Sequence, residues 1–223
     1  MINECEEHGY FRGEVCPVCG AEGEDIDFLM NDFEVDKLGR MMAAILRHGK
    51  FNLPMDDQGF VDMRDIASAV KARNPFMKWL RPRHVEALAI TDPKGRYQVR
   101  SRSVRALYGH SIDLNLNLPT DNIPRYLYSP VTDEKCDDVL DEGIFPSDRA
   151  MVHLSGTYSQ AYGAGFAHGY DPVVLEVDTQ MCAEMGHPVG RATAAVYLVD
   201  EVPADCIEVA EEPEDFKPEA FKE

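Results

Sequence analysis

The chain has 223 residues, 44% of them hydrophobic, and a formal net charge of −18. That length is enough for one large domain or two small ones with an appendage, and that composition buries a real core. No apolar run approaches the ~18 residues of a membrane span, so a soluble protein without a membrane partner is expected. The opening MINECEEHGY has no basic segment followed by an apolar one, and no secretory signal is expected.

The first feature along the chain is Cys5-x2-His8-x7-Cys16-x2-Cys19, followed by Gly20. Three thiolates and one imidazole complete a tetrahedral Zn2+ shell with no open position, which predicts a structural metal site over residues 1–30. So short a segment cannot bury a core of its own, and the metal would supply its folding energy. Disulfides are the alternative, disfavoured by the histidine at ligand spacing and the missing secretion signal. Cys136, Cys182 and Cys206 are isolated and read as small buried hydrophobes.

GAEGEDIDF, acidic and containing glycine, reads as a linker. A helix follows, with Leu38, Met41, Met42, Ile45 and Leu46 at the spacing of one buried face. Asp32, Glu34 or Asp36 favours its start and Gly49 can end it, so Arg47 and His48 occupy its last turn. DDQGF is turn chemistry. Val61 to Arg73 reads as a second helix and Arg83 to Thr91 as a third, with Pro82 in its first turn. DPKG then turns a hairpin between RYQVR and VRALY. Helices followed by a hairpin suggest a winged-helix-like lobe over 31–118. Fifteen of the 22 basic residues and only six acids lie between Lys37 and Arg105, so this stretch is about +9 inside an acidic chain. The asymmetry reads as an anion-binding lobe or as a solvated basic helix surface.

Pro119 and Pro124 bracket a second linker. Beyond it the pattern changes to short strands (YLYSPV, MVHLSG, PVVLEVD, AAVYLVD, CIEVA) separated by the amphipathic CDDVLDEGI and TYSQAYGAGFAHG. The class is therefore α+β, with a second lobe over 119–210 and a charged, frayed tail over 211–223. Polar pairs stand where apolar segments end: Arg47-His48, Arg105, His110-Ser111, His153 and Ser155. Converging arginine forks with a histidine beside them make a phosphate site. An arginine at a helix C-terminus can equally be a dipole-compatible surface charge, and His153 a satisfied core histidine.

Four runs occur in a distinctive order: Leu46-Arg47-His48; Asp57-Gln58-Gly59-Phe60-Val61; Val104 through Ser111 (VRALYGHS); and Arg149 through Ser155 (RAMVHLS). With PVVLEVD, GHPVGR and AVYLVDEVP behind them, the chain resembles the NAD-dependent RNA 2′-phosphotransferase family in its archaeal form, which carries an N-terminal cysteine-rich, zinc-binding knot. The resemblance implies an N-terminal winged-helix-like RNA lobe and a C-terminal ADP-ribosyltransferase-like lobe. It implies transfer of an internal RNA 2′-phosphate, such as the tRNA splice-junction scar, to NAD+. The products would be 2′-hydroxyl RNA, nicotinamide and ADP-ribose 1″,2″-cyclic phosphate. It places Arg47, His48 and Arg105 in the catalytic set, and His153, Ser155, Gly109, His110 and Ser111 with the NAD site or the link between lobes. It also implies a cytoplasmic enzyme with RNA and NAD as its partners, structural zinc at Cys5, His8, Cys16 and Cys19, and no obligate protein partner.

Two departures stand out. Many members carry His-Gly-Thr after the linker, where this chain reads Leu127-Tyr128-Ser129-Pro130-Val131-Thr132. Members also carry an arginine shortly after a glycine beyond VHLS, where this chain reads Gly165-Phe166-Ala167-His168-Gly169. His168 or Arg191 is the candidate substitute. The alternatives are a weak or inactive RNA- and NAD-binding homologue, or an ADP-ribosyltransferase that caps nucleic-acid ends.

Overall fold

The computed structural model describes residues 1–221. The chain is mixed α and β, with six α-helices and three antiparallel sheets among the described residues. It divides into two compact units, Met1–Leu116 and Asn117–Glu223.

The first unit opens with a three-stranded sheet: β1 (Ile2–Cys5), β2 (Gly9–Arg12) and β3 (Ile26–Met30), in the order β2-β1-β3. The segment expected to be a linker therefore ends in a paired strand. Its apolar end explains why: Leu29 and Met30 enter the main core of the unit with Ile2. The Arg12 Nε donates to Thr91 O at 2.6 Å, and Tyr10 OH donates to Glu86 at 3.4 Å. The cysteine-bearing segment is thus fastened to the body of its unit by burial and hydrogen bonds as well as by any metal.

Helix α1 (Asp32–His48) begins at an Asn31 cap. The Asn31 side chain accepts from Glu34 N, and the Glu34 carboxylate accepts from Asn31 N. This reciprocal box satisfies two donors that the helix start leaves open. Leu38, Met42, Ile45 and Leu46 are fully buried, and Gly49 ends the helix in the left-handed region at φ 62°. Val61 and Asp62 form a short strand, β4, before α2 (Met63–Arg73). The predicted helix thus starts two residues late, because Val61 is engaged opposite Val104. Helix α3 (Pro82–Ile90) precedes the hairpin of β5 (Tyr97–Arg100) and β6 (Ser103–Ala106), and the sheet order is β4-β6-β5.

The second unit is built on six strands in the order β10-β11-β8-β7-β9-β12. They are β7 (Tyr126–Val131), β8 (Val152–Ser155), β9 (Val173–Asp178), β10 (Gly190–Arg191), β11 (Val196–Val199) and β12 (Ile207–Val209). Helices α4 (Asp133–Glu142), α5 (Tyr158–Phe166) and α6 (Thr179–Glu184) connect them. One sheet face carries Leu127, Leu154, Val177 and Tyr197 into the unit's core. The other carries Tyr128 and Val174, which pack with Ala161 and Tyr162 of α5. The tail departs from the frayed expectation. Phe216 and Phe221 pack on Tyr162 at centroid distances of 4.9 and 5.3 Å. The Phe221 ring fits against Gly163, where a Cβ would lie only 2.7 Å from it. Two aromatic rings anchor a segment whose average composition is that of a solvated one.

Candidate anion site in the first unit

The end of α1 and the segment after β6 meet. Ser111 N donates to Arg47 O at 3.0 Å, and His48 Nδ1 is hydrogen-bonded to Ser111 Oγ at 2.8 Å. The Arg47 guanidinium lies over the Tyr108 ring at 4.9 Å and against the bare Cα of Gly109. A Cβ at Gly109 would sit 3.1 Å from Arg47 Cζ, and its φ of 83° already favours glycine. The resemblance groups Gly109, His110 and Ser111 with the NAD site or the link between lobes; in the structure Gly109 lies against Arg47, and Ser111 bonds to His48 and to Arg47 O.

Arg47 Nε and Nη2 are buried without a hydrogen-bond partner, and so are His110 Nε2 and the Tyr97 hydroxyl. Unpaired buried donors are rare because each costs about 1–3 kcal/mol, and more when charged. Their concentration around one guanidinium makes Arg47 the candidate anion-binding side chain of this unit. Burial and the nearby charges of Arg47, Arg105 and His48 lower the His110 pKa to about 4. The ring is therefore neutral at physiological pH.

Arg105 is built differently. It is 6% exposed. Its Nε donates to Gln98 Oε1 at 2.8 Å, and its Nη1 donates to Gln58 O at 3.1 Å and to Leu116 O at 2.8 Å. The DDQGF turn locks against it. Asp56 Oδ1 accepts from Gln58 N and Phe60 N, and Arg100 bonds Asp56 Oδ2 at 2.7 Å. The guanidinium groups of Arg100 and Arg105 lie 3.8 and 4.7 Å from the centre of the Phe60 ring. Three of the five Arg105 donors, those on Nε and Nη1, are thus engaged by the protein itself.

In the same unit, one ligand atom from each of Cys5, His8, Cys16 and Cys19 lies within 4.8 Å of all the others. Cys5 and Cys19 Sγ are 3.7 Å apart, and Cys5 Sγ is 3.5 Å from His8 Nδ1. A tetrahedron with Zn–S bonds of about 2.3 Å has sulfur–sulfur edges near 3.8 Å, so the donors present fit zinc. Backbone N–H groups of Cys19 and Val18 lower the Cys16 thiol pKa to about 7, which favours the thiolate a metal requires.

In the second unit His153 and Ser155 point to the same face of β8, and Tyr128 lies opposite Ser155 on that face. Met151 O accepts from His153 Nδ1 at 2.9 Å, which assigns the proton to Nδ1. A cavity of about 750 Å³ begins where VHLS ends, lined by Tyr128, Gly156, Thr157, Tyr158, Phe216 and Lys217. Arg191 pairs with Tyr197, itself opposite Leu154, so Arg191 projects from the face opposite His153. His168 is exposed in the turn after α5. Strand alternation therefore argues against Arg191 as the missing arginine. Neither the cavity nor the tail's share in it was visible in the sequence, because Phe216 and Phe221 sit in a charged context.

Two mixed α/β units, one of which gathers Arg47, His48, Arg105 and His110 around buried donors that the protein leaves unpaired, fit an enzyme that handles an anion. The family model described as RNA 2′-phosphotransferase, Tpt1 / KptA family, matches residues 34–201. Curated relatives named "Probable RNA 2'-phosphotransferase" agree over most of the chain. The Thermoplasma acidophilum protein is 42% identical over 207 residues, 92% of this chain and 86% of the relative. The Thermoplasma volcanium protein is 39% identical over 93% of this chain and 88% of the relative. The Methanosarcina acetivorans protein is 36% identical over 95% of this chain and all of the relative. The chain belongs to the RNA 2′-phosphotransferase family.

Proposed function

We propose that the chain transfers an internal RNA 2′-phosphate, such as that at a tRNA splice junction, to NAD+. In the first step the 2′-phosphate attacks the anomeric carbon of the nicotinamide ribose and nicotinamide leaves. In the second, the 2″-hydroxyl of the attached ADP-ribose attacks the phosphorus. The 2′-oxygen of the RNA departs and takes up a proton, and ADP-ribose 1″,2″-cyclic phosphate is released. The family assignment supplies the reaction class, and the unpaired donors of Arg47 carry the residue assignment.

The chemistry asks for a dianion held in one orientation while charge builds on phosphorus. Arg47 offers Nε and Nη2, which match two phosphate oxygens, and the Tyr108 ring and Gly109 hold its plane. His48, fixed by Ser111, is the proton donor and acceptor beside it. Arg105 adds a charge fixed by the DDQGF turn. We assign the winged-helix-like RNA lobe to 31–118 and the ADP-ribosyltransferase-like lobe to 119–210, where His153, Ser155 and the 750 Å³ cavity are the dinucleotide candidates. The 1–30 segment holds structural zinc, and 211–223 is a tail that packs on α5. Metal analysis of the purified chain should return one zinc per chain. Removing it with a chelator should disorder the 1–30 sheet while Arg47 and its neighbours stay in place.

One incubation tests the reaction: NAD+ with a short RNA bearing a single internal 2′-phosphate. Release of nicotinamide and cyclic ADP-ribose phosphate is expected. The segment Gly165–Gly169 lacks the family arginine, and this favours a second reading, in which RNA and NAD are held without turnover. Stable binding without nicotinamide release would support that reading. Accumulation of ADP-ribosylated RNA would show that only the first step proceeds.

A further inference from the structure

Two of the most exposed aromatic rings among the described residues belong to the first unit and stand together. Phe33 is 69% exposed and Phe76 is 83% exposed. The Lys37 ammonium lies 5.7 Å from the centre of the Phe33 ring and 5.6 Å from that of Phe76. One cation is thus flanked by two aromatic faces left open to solvent. Leaving large apolar rings in water is unfavourable, and grouping them around a charge marks a surface built to be covered.

The presentation is rigid. Phe76 follows Asn74-Pro75, and Asn74 Oδ1 accepts from Phe76 N at 3.2 Å. The Trp79 indole N–H donates to Phe76 O at 3.1 Å, closing the same turn. Phe33 lies in the first turn of α1, just after the capping box. The acids nearby are already engaged: Asp32 with the N-terminal ammonium, Glu34 in the cap, and Asp36 with Arg40 at 2.6 Å. Lys37 is therefore the uncompensated charge of the patch, with the exposed Lys78 two residues on from Phe76.

Helix geometry ties this patch to the anion site. Residues 33, 37, 41, 44 and 48 recur at the three- and four-residue steps of one helix face. Lys37 and His48 fall within ~20° of each other around the axis and about 16 Å apart along it. Phe33 and His48 are exposed and Lys37, Met41 and Ala44 half-buried, with Met41 at the edge where this face meets the core. A few nucleotides of single strand cover that distance.

We propose that Phe33, Lys37 and Phe76 form a stacking platform for unpaired nucleobases of RNA whose phosphate is held at the other end of α1. Aromatic faces accept any base, and the ammonium meets the backbone, so the platform selects single-stranded character over sequence. This rests on the reading of the first unit as the RNA lobe and adds the structural class of RNA it takes. The positive charge of the surrounding stretch favours RNA over a second protein as the occupant.

The test measures binding of unmodified RNA to the full chain without NAD+, so it does not depend on turnover. The probes are a single strand of about ten nucleotides and the same sequence paired into a duplex. Phe33→Ala with Phe76→Ala should weaken the single strand roughly tenfold per ring and leave duplex affinity within about twofold. Phe76→Trp should retain the wild-type affinity. Lys37→Gln should lower the salt slope of binding by about one contact. Both rings are exposed, so an unchanged melting curve serves as the folding control. Equal losses for single strand and duplex would overturn the platform, as would wild-type affinity in the double variant. So would a wild-type dimer that the double variant dissolves. Failure of the wild-type chain to bind either RNA would instead overturn the RNA reading of the first unit.

Discussion

The last turn of α1 and the middle of β6 each present one arginine that the sequence marks for the same task, and the fold treats them in opposite ways. Arg105 is spent inward: Gln98, Gln58 O and Leu116 O take three of its donors, and Phe60 covers its face. Arg47 is seated on Tyr108 and Gly109 with Nε and Nη2 buried and unpaired. Arg105 therefore ties the DDQGF turn to β6, and Arg47 is the arginine whose donors the protein leaves unpaired. An arginine's contribution to binding and its contribution to stability separate where its donors have different owners.

The largest expected effect follows from that separation. Arg47→Ala should lower single-turnover phosphate transfer by about a hundredfold or more, because two charge-assisted contacts to the dianion disappear. Its thermal stability should equal or exceed that of the wild type, since an unpaired buried cation is removed. A large drop in melting temperature would break the contrast. Arg105→Ala should behave the other way: it leaves two backbone carbonyls and Gln98 without their donor and should cost about 3 kcal/mol of stability, read by denaturant unfolding. If Arg105→Ala folds as well as the wild type, the inward role is wrong.

A smaller effect concerns pH. His110 is held below its ordinary pKa by burial and then by Arg47, Arg105 and His48. The unfolded chain binds that proton more readily, so this group's contribution is present above pH 6.5 and is lost as pH falls toward 4. His110→Gln should therefore flatten the stability profile between those values relative to the wild type. His84, lowered chiefly by burial, changes stability in the same direction, and Asp92, Asp56 and Asp178 are held below the usual carboxylate range; all four appear in both profiles, so the difference between the curves is the readout. Identical curves would mean that His110 does not sit in this buried, cation-flanked environment.

Much of this frame is legible in one sequence. The 3.6-residue apolar period, the acids from Asp32 to Asp36 and Gly49 define α1, and they put Arg47 and His48 at its end, while the Asn31 capping box appears only in the structure. Ligand spacing brings out the Cys5 to Cys19 cluster because metal geometry tolerates few arrangements. Other features depend on partners distant in the chain. β3 is hidden in an acidic stretch whose apolar end finds Ile2. Val61 reads as helix until Val104 is known to lie opposite it. The tail looks solvated by composition, while two phenylalanines decide its fate. α6 is too short for periodicity to declare it. Within the anion site, residue types are readable and donor ownership is not: nothing in VRALYGHS shows that Gly109 lies beneath the Arg47 guanidinium, or that Arg105 faces carbonyls.

The most direct test compares two RNAs that differ only in an internal 2′-phosphate, binding to wild-type chain and to Arg47→Ala without NAD+. The wild type should prefer the phosphorylated strand by roughly a hundredfold, and Arg47→Ala should bind both strands alike, with its affinity for the unphosphorylated strand little changed. A full preference retained by Arg47→Ala would contradict the assignment of the anion to the open guanidinium at the end of α1.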